Sequence, residues 1–467
     1  MLSTAVPKLA RGLRICLCVL VVSLCAWNDV PAGRVPPPST FHPSSLIPHP
    51  SSLSSHAPNI LLVGFAPEKS AAEREAVSAA LGCTTVHHYA YIAVDVVRLP
   101  EGSEPAAKAA TFVQGNEVRF AEPNYTVDDA AAATASVPDD PRFGEQWGLR
   151  NTGQAGGTPD ADIDALGAWD IGSGTSPVIV GVVDSGIDYL HEDLAGMMWT
   201  NEAELTGVAG VDDDGNGIVD DIYGARWTNG DGTPTSGDPV DGHGHGTHAA
   251  GVIGAARNNA IGIAGISSPV RLMALRFKDN NNNGTVADAI SAVEYAIDKK
   301  ARLSNNSYRF TAYSQAFKEV IKAAEDAGQL FVTASANAGV NNDVTPSFPC
   351  AFDCANIIGV AASDRFDAKA VFSNWGLVTV DLAAPGVDIR SLLPGNAYGP
   401  MSGSSMAAAH VSGVAALLGS WEPEATPAML KQWILDSVDP IPAWEGLTVT
   451  GGRLNAANAL TLAVHGR

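Results

Sequence analysis

From about residue 142 to 464 the chain alternates two hydrophobic patterns, separated by glycine-rich turns. "SPVIVGVVD" (176–184) is an unbroken apolar run, as expected of a parallel strand covered on both faces. "VRLMALRF" (270–277), "QLFVTAS" (329–335) and "NIIGVAAS" (356–363) repeat it. Between them "VADAISAVEYAIDKKA" (286–301) and "SQAFKEVIKAAEDAG" (314–328) carry apolar residues at three- and four-residue spacing and predict helices. Strand, turn and helix in regular alternation imply an open, doubly wound α/β domain with a mostly parallel sheet over 140–464. Such sheets place their chemistry at the carboxyl ends of the strands.

A smaller α+β unit is expected over 59–128. "NILLVGF" and "YIAVDVVRL" read as strands, "EKSAAEREAVSAALG" as a helix stopping at Gly82, and "VRFAEPNY" as a last strand ending in a proline turn. The stretch after it, "VDDAAAATASVPDD", has no core-forming pattern and reads as an exposed joint open to cleavage. Residues 34–58 are rich in Pro, Ser and His, with "HPSSL" occurring twice, and predict a flexible linker. Before it, Lys8, Arg11 and Arg14 precede an apolar run from Ile15 to Trp27, followed by small residues near Ala32. This is the pattern of a secretory signal over 1–33, with a single membrane anchor as the alternative.

Composition narrows the function. The 467 residues carry 50 Asp and Glu against 28 Lys and Arg, a formal charge of −22, without a basic run beyond the N-terminus, which argues against nucleic acid as a partner. Of six cysteines, Cys16, Cys18 and Cys25 lie in the expected leader and Cys83 in the small unit. Cys350 and Cys354, four apart in an exported protein, are candidates for a short disulfide loop.

Three polar residues stand at strand ends or helix starts. Asp184 ends "VIVGVVD"; His245 lies in "DGHGHGTHAAG", where a small-residue helix begins; Ser405 lies in "MSGSSMAAAHVSG", at another such start. Each has an ordinary reading: a turn aspartate, a metal-binding histidine pair, a serine cap. Together they are the three groups that nucleophilic acyl transfer needs. A serine hydroxyl requires an imidazole to take its proton, and a carboxylate fixes the imidazole tautomer.

"VVDSGID", "HGTHAAG" and "GSSMAAAHVSG", in that order, resemble the signature regions of subtilisin-like serine proteases, the subtilase family (peptidase S8). The resemblance runs from roughly Asp140 to Leu462 and includes "TVDLAAPGVDI" and "TGGRLNAANAL". It implies a subtilisin-like fold and a serine endopeptidase with Asp184, His245 and Ser405 as triad. His248 is then structural and His243 solvent-facing. "VTASANAG" resembles the family stretch around the oxyanion asparagine and implies that role for Asn337. There are departures. Ala409 stands for the proline after the nucleophile, Ala336 for the glycine before the asparagine, and Ser404 for threonine. "NNSYRF" (305–310) replaces the usual Gly-Gly edge with Arg309 and Phe310. They leave open a catalytically weak binding or scaffold protein; an esterase is disfavoured, because "SGSSM" is not a G-x-S-x-G elbow.

"VDDDGNGIVDD" (211–221) spaces oxygen ligands like the first half of a calcium loop: Asp212, Asp214, Asn216, Asp220 and Asp221, with a solvated acidic loop as the alternative. The resemblance implies a second calcium site at Asp193 in "HEDL", with Gln146 and Asn259 as weaker matches. The 59–128 unit resembles the family's inhibitory propeptide, which implies a zymogen cleaved between Val127 and Asp140. The expected product is a secreted, calcium-stabilised monomer, off the membrane after signal cleavage, acting on protein or peptide substrates and held by its own propeptide.

Overall fold

The computed structural model describes residues 56–89, 92–114, 117–125 and 137–465. The expected leader, with Cys16, Cys18 and Cys25, nearly all of the expected linker, and most of the expected cleavage stretch lie outside the described residues. Among the described residues no helix is long and apolar enough to cross a membrane. The chain divides into two compact units, Met1–Asp128 and Asp129–Arg467.

The first unit runs β1 His56–Phe65, α1 Ala71–Ala80, β2 Thr84–Tyr89, β3 Val94–Arg98, α2 Pro105–Val113 and β4 Val118–Tyr125. Strand β1 begins three residues inside the stretch read as linker. The strands pair antiparallel in the order β2-β3-β1-β4, the split β-α-β-β-α-β arrangement. Ser70 and Glu73 cap each other at the start of α1, and Gly82, at φ 71°, takes the left-handed turn that ends it. Strand β2 and helix α2 were not legible in sequence: β2 is half solvated, and α2 is short and alanine-rich. Leu61, Val63, Phe65, Val97 and Phe112 form the core.

The second unit begins with α3 Ala165–Ile171, β5 Val178–Asp184, α4 Glu202–Thr206, β6 Gly224–Arg226, α5 His245–Gly254, β7 Val270–Arg276, α6 Val286–Asp298 and β8 Leu303–Asn306. It continues with α7 Gln315–Asp326, β9 Leu330–Ala334, β10 Ile357–Ser363, β11 Leu382–Pro385, β12 Ile389–Leu393, β13 Ala397–Met401, α8 Ser404–Trp421, α9 Pro427–Asp436, β14 Asp439–Pro440, β15 Gly452–Arg453 and α10 Ala456–His465. Nine strands form one sheet in the order β14-β15-β11-β10-β9-β8-β5-β7-β6, parallel except for the β14–β15 pair; β12 and β13 make a separate hairpin. From β5 the order runs β8-β9-β10-β11 on one side and β7-β6 on the other, so the chain reverses direction at β5 and its crossovers cover both faces. The apolar strands therefore read as continuous rather than alternating.

The two helices predicted from periodicity are α6 and α7. In α7 the buried residues Phe317, Val320, Ile321 and Ala324 fall on one stripe. Helix α8 is different: every residue from Ser404 to Ser420 is buried. Its alanines, glycines and serines let neighbouring elements approach it from all sides. Cys350 and Cys354, the candidates for a disulfide loop, are both free and buried. Cys350 Sγ donates to the Thr379 carbonyl at 3.1 Å, and burial pushes its thiol up.

Candidate active site

Asp184 is the last residue of β5 and wholly buried; His245 is the first residue of α5. His245 Nδ1 lies 2.8 and 2.9 Å from the two Asp184 carboxylate oxygens. Glycine makes this approach possible. A Cβ on Gly246 would stand 2.1 Å from the Gly186 carbonyl oxygen, so only glycine lets the helix start sit on the strand end. Gly244, at φ 101°, turns the chain into that helix. The crowding of imidazoles among glycines thus has a steric reason. His243 is exposed, and His248 is buried with Nε2 2.9 Å from the Ile389 carbonyl oxygen.

The joint is held by residues that the sequence did not single out. Asp241 accepts from the Ser185 hydroxyl at 2.8 Å and from the Thr247 N–H and hydroxyl at 2.9 and 2.6 Å. Ser185 Oγ in turn accepts the Gly246 N–H at 3.0 Å. Strand end and helix start are thereby tied by side chains. The aspartate was visible in "DGHGHGTH", but nothing local marked it as a clamp.

Ser405 is the second residue of α8 and Asn337 follows β9 by three residues. Asn337 Oδ1 accepts from the Ser404 N–H and from the Ser404 hydroxyl, both at 2.9 Å. Ser404 Oγ itself accepts the Ala336 N–H at 3.1 Å. Ser307 Oγ donates to the Ser405 carbonyl at 3.1 Å. Ala336 sits at φ 86°, which explains why glycine is usual there.

His245, Asn337 and Ser405 all line one cavity of about 490 Å³, with Lys278, Ser307, Arg309 and Phe310 among its other walls. Among the described residues no hydrogen bond joins Ser405 Oγ to the imidazole. Such bonds are often long before substrate arrives. Phe310 does not block the serine. Its backbone pairs with Phe348 and its ring packs against Phe317, Phe348 and Phe352. Arg309 is exposed at the cavity and has no ion-pair or hydrogen-bond partner among the described residues.

Burial alone would push the Asp184 carboxyl up. The charges and hydrogen bonds of His245 and Lys278 outweigh it and hold the group well below the usual carboxylate range. Lys278 is buried, with Nζ 3.2 Å from Asp184 Oδ1 and 3.2 Å from the Ser307 carbonyl oxygen. It was missed in sequence, since a lysine after an apolar strand reads as a solvated end.

The expected metal ligands fall into two places. In the acidic loop Asp212 and Asp214 share the Asn216 N–H, both at 3.1 Å, but the five residues do not gather into one cluster. Asp212 turns to the Asn216 and Gly217 N–H groups, and Asp220 to the Gly210 N–H. Asp214 and Asp221 meet Glu204 instead, a residue from α4. That cluster already holds donors from Lys299, Asn201, Asn216 and Tyr295. Elsewhere, Asp193 is fully buried, without a Lys or Arg partner among the described residues. It accepts from Asn259 Nδ2 and the Ile263 N–H, both at 2.9 Å. Burial pushes the carboxyls of Asp193 and Asp140 up. A Cβ on Gly262 would lie 2.3 Å from Asp193 Oδ2, so glycine leaves room beside the carboxylate. Gln146 is near in the chain fold, with its amide paired to the Ala264 backbone.

Comparison with known proteins agrees with this architecture. The subtilase family model matches residues 175–459, and that of the fervidolysin N-terminal prodomain matches residues 48–124. The chain is 36% identical over 345 residues to a thermophilic serine proteinase of Bacillus sp. (strain AK1), covering 74% of this chain and 73% of that one. It is 33% identical over 325 residues to thermitase of Thermoactinomyces vulgaris, covering 69% and 99%. Subtilisin-like protease 1 of Plasmodium falciparum (isolate 3D7) is 33% identical over 303 residues, but only 43% of its length is spanned. With a doubly wound nine-stranded sheet preceded by a prodomain, this chain belongs to the subtilase family and is a subtilisin-like serine endopeptidase.

Proposed function

We propose that the protein cleaves peptide bonds through an acyl-enzyme on Ser405, with His245 as base, Asp184 as its orienting acid and Asn337 as oxyanion donor. One observation carries the reading: the Asp184 carboxylate takes the Nδ1 side of His245 at 2.8 and 2.9 Å, while His245 and Ser405 line the same cavity. With Nδ1–H engaged, Nε2 is the free base. It takes the Ser405 proton as Oγ attacks the scissile carbonyl carbon. The carbonyl oxygen becomes an oxyanion, within reach of the Asn337 Nδ2–H and the Ser405 N–H at the start of α8. His245 then returns the proton to the amide nitrogen, the C–N bond breaks, and the amine leaves. Water, deprotonated by the same imidazole, releases the acid and restores Ser405.

The remaining parts of the reading follow from the sequence. The chain is made as a secreted zymogen, its first unit serves as propeptide, and cutting between Val127 and Asp140 releases a mature monomer. Calcium fits best at Asp193, Asn259 and Gln146, because a buried carboxylate without a Lys or Arg partner among the described residues lies there beside a glycine. Bound there, the cation would neutralise Asp193 and stabilise the fold. Asp214 and Asp221 with Glu204 are a weaker fit, since Lys299 already supplies a positive charge.

A fluorophosphonate probe tests the chemistry. Secreted wild-type protein labels, and Ser405→Ala does not; Asp184→Asn loses about four orders of magnitude in kcat. Labelling that survives in Ser405→Ala would overturn the assignment. N-terminal sequencing of the secreted product checks the processing site.

A further inference from the structure

Lys278 lies outside every motif by which the triad was recognised, yet among the described residues its ammonium and the His245 imidazole are the two side-chain groups bonded to the Asp184 carboxylate. It follows β7 by two residues, and its backbone N–H and that of Phe277 both donate to the Asp184 carbonyl, at 3.3 and 2.9 Å. Its side chain then folds back so that Nζ donates to Asp184 Oδ1 at 3.2 Å, the oxygen that also faces His245 Nδ1 at 2.8 Å. The same ammonium donates to the Ser307 carbonyl at 3.2 Å, and Ser307 in turn donates to the Ser405 carbonyl. Nζ lies 5.8 Å from the centroid of each of the Phe277 and Tyr308 rings, so the ammonium is enclosed rather than draped over the surface. Only 5% of its side chain is exposed.

We propose that Lys278 is a positioning residue of the proton relay, a fixed cation that shares the Asp184 carboxylate with His245 and so keeps His245 unprotonated at more acidic pH. This rests on the triad reading above. A carboxylate facing a neutral imidazole alone favours protonation of that imidazole. With Lys278 on the same carboxylate, the lysine–aspartate pair is already neutral, and a proton on His245 adds a net positive charge in a buried place. The acid limb of the pH profile moves down in consequence. The hydrogen bond to Ser307 also ties the acid to the wall beside the nucleophile.

Other charged or titratable groups lie near the relay. Arg276, opposite Asp184 in the β5–β7 pair, donates to the Val240 carbonyl and to Asn280 Oδ1, both at 2.6 Å. Tyr308 comes from the segment after β8; its hydroxyl is pushed well above its usual range by burial, so it stays neutral. His248, one turn further in α5, and His410 in α8 are held at about 3 and about 4 by burial and are also neutral. Asp241 is engaged with Ser185 and Thr247. His243, its ring 6.4 Å from that of His245, and Arg309 across the cavity are exposed to solvent. All of these are the same in wild type and in a Lys278 variant, so the difference between the two reports the lysine.

The experiment is the pH dependence of the rate of fluorophosphonate labelling, which needs no known substrate, on protein expressed as the full chain. Lys278→Met should raise the acid limb by about one pH unit relative to wild type, and Lys278→Arg, which keeps the charge, should stay within a few tenths of it. Should Lys278→Met not fold, Lys278→Gln removes the charge while keeping a donor and is read in the same way. A limb that does not move, with the rate lowered equally at all pH values, or an arginine variant that behaves as the uncharged ones do, overturns the proposal while labelling at Ser405 stands. Wild-type protein that does not label at Ser405 overturns the triad reading, and this inference with it.

Discussion

Ser404 donates twice to the same atom of Asn337: its backbone N–H and its hydroxyl each reach Oδ1 at 2.9 Å. With the oxygen so engaged, the amide nitrogen is left as the end that faces Gly403 and the cavity. In the proposed mechanism Ser404 therefore aims the amide that serves as oxyanion donor. Asn337→Leu should lower kcat about 10²- to 10³-fold with little change in KM. Ser404→Ala removes one of the two anchors and should cost up to about tenfold, Ser404→Thr much less. Steady-state kinetics on a peptide substrate distinguish the three.

Ala336 holds φ 86° one residue before that asparagine. A left-handed alanine costs roughly 1–2 kcal/mol, and glycine relieves it while losing some unfolded-state entropy. Ala336→Gly should therefore stabilise the protein by about 1 kcal/mol or less, seen as a small rise in the thermal midpoint. A lower midpoint would mean that the buried methyl group contributes more than the backbone strain costs.

Calcium should act at Asp193 before the acidic loop. Chelation is expected to lower the thermal midpoint, and a cation at about 100 times its dissociation constant contributes about 2.7 kcal/mol. Asp193→Asn should remove most of the response to chelator, and Asp214→Asn should leave it. The reverse pattern would move the site to the Glu204 cluster.

Two buried histidines should give the stability an acid dependence. Burial lowers His248 to about 3 and His410 to about 4. Above pH 6.5 both are neutral, folded or unfolded. As pH falls from 6.5 towards 4, only the unfolded chain takes up their protons, so stability is lost. Asp162, pushed up to about 6 by burial, acts in the opposite sense across the same range. The measurable quantity is thus a difference. Relative to wild type, His410→Gln should lose about 2–3 kcal/mol less stability between pH 7.5 and 4.5, read from urea midpoints.

Among the described residues Arg309 has no ion-pair or hydrogen-bond partner, and those lining its cleft include no carboxylate. Peptides with Asp or Glu near the scissile bond should be preferred, and Arg309→Gly should reduce that preference about tenfold or less at low salt. An unchanged cleavage profile from a peptide library would show that the side chain stays in solvent.

How much of this was legible differs by element. The strands β5, β7, β9 and β10 and the helices α6 and α7 were readable, because hydrophobic period is a local property. The short strands β6, β14 and β15 were not, since pairing of two or three residues is decided by neighbours far along the chain. At the site, "VVDSGID", "HGTHAAG" and "GSSMAAAHVSG" named Asp184, His245 and Ser405 through their order and flanks. Asp241, Ser185 and Lys278 carry no such mark.

The acidic loop shows the limit most plainly. Its spacing pointed to five oxygen ligands, but backbone N–H groups claimed Asp212 and Asp220, and Glu204 entered from a separate helix. Local order along the chain decides which residue types stand at strand ends and helix starts, because turns and caps are short-range. Which carboxylate faces which cation is settled only when β5, α5 and the end of β7 meet. A side-chain contact depends on positions in space, and Asp184 and Lys278 are 94 residues apart.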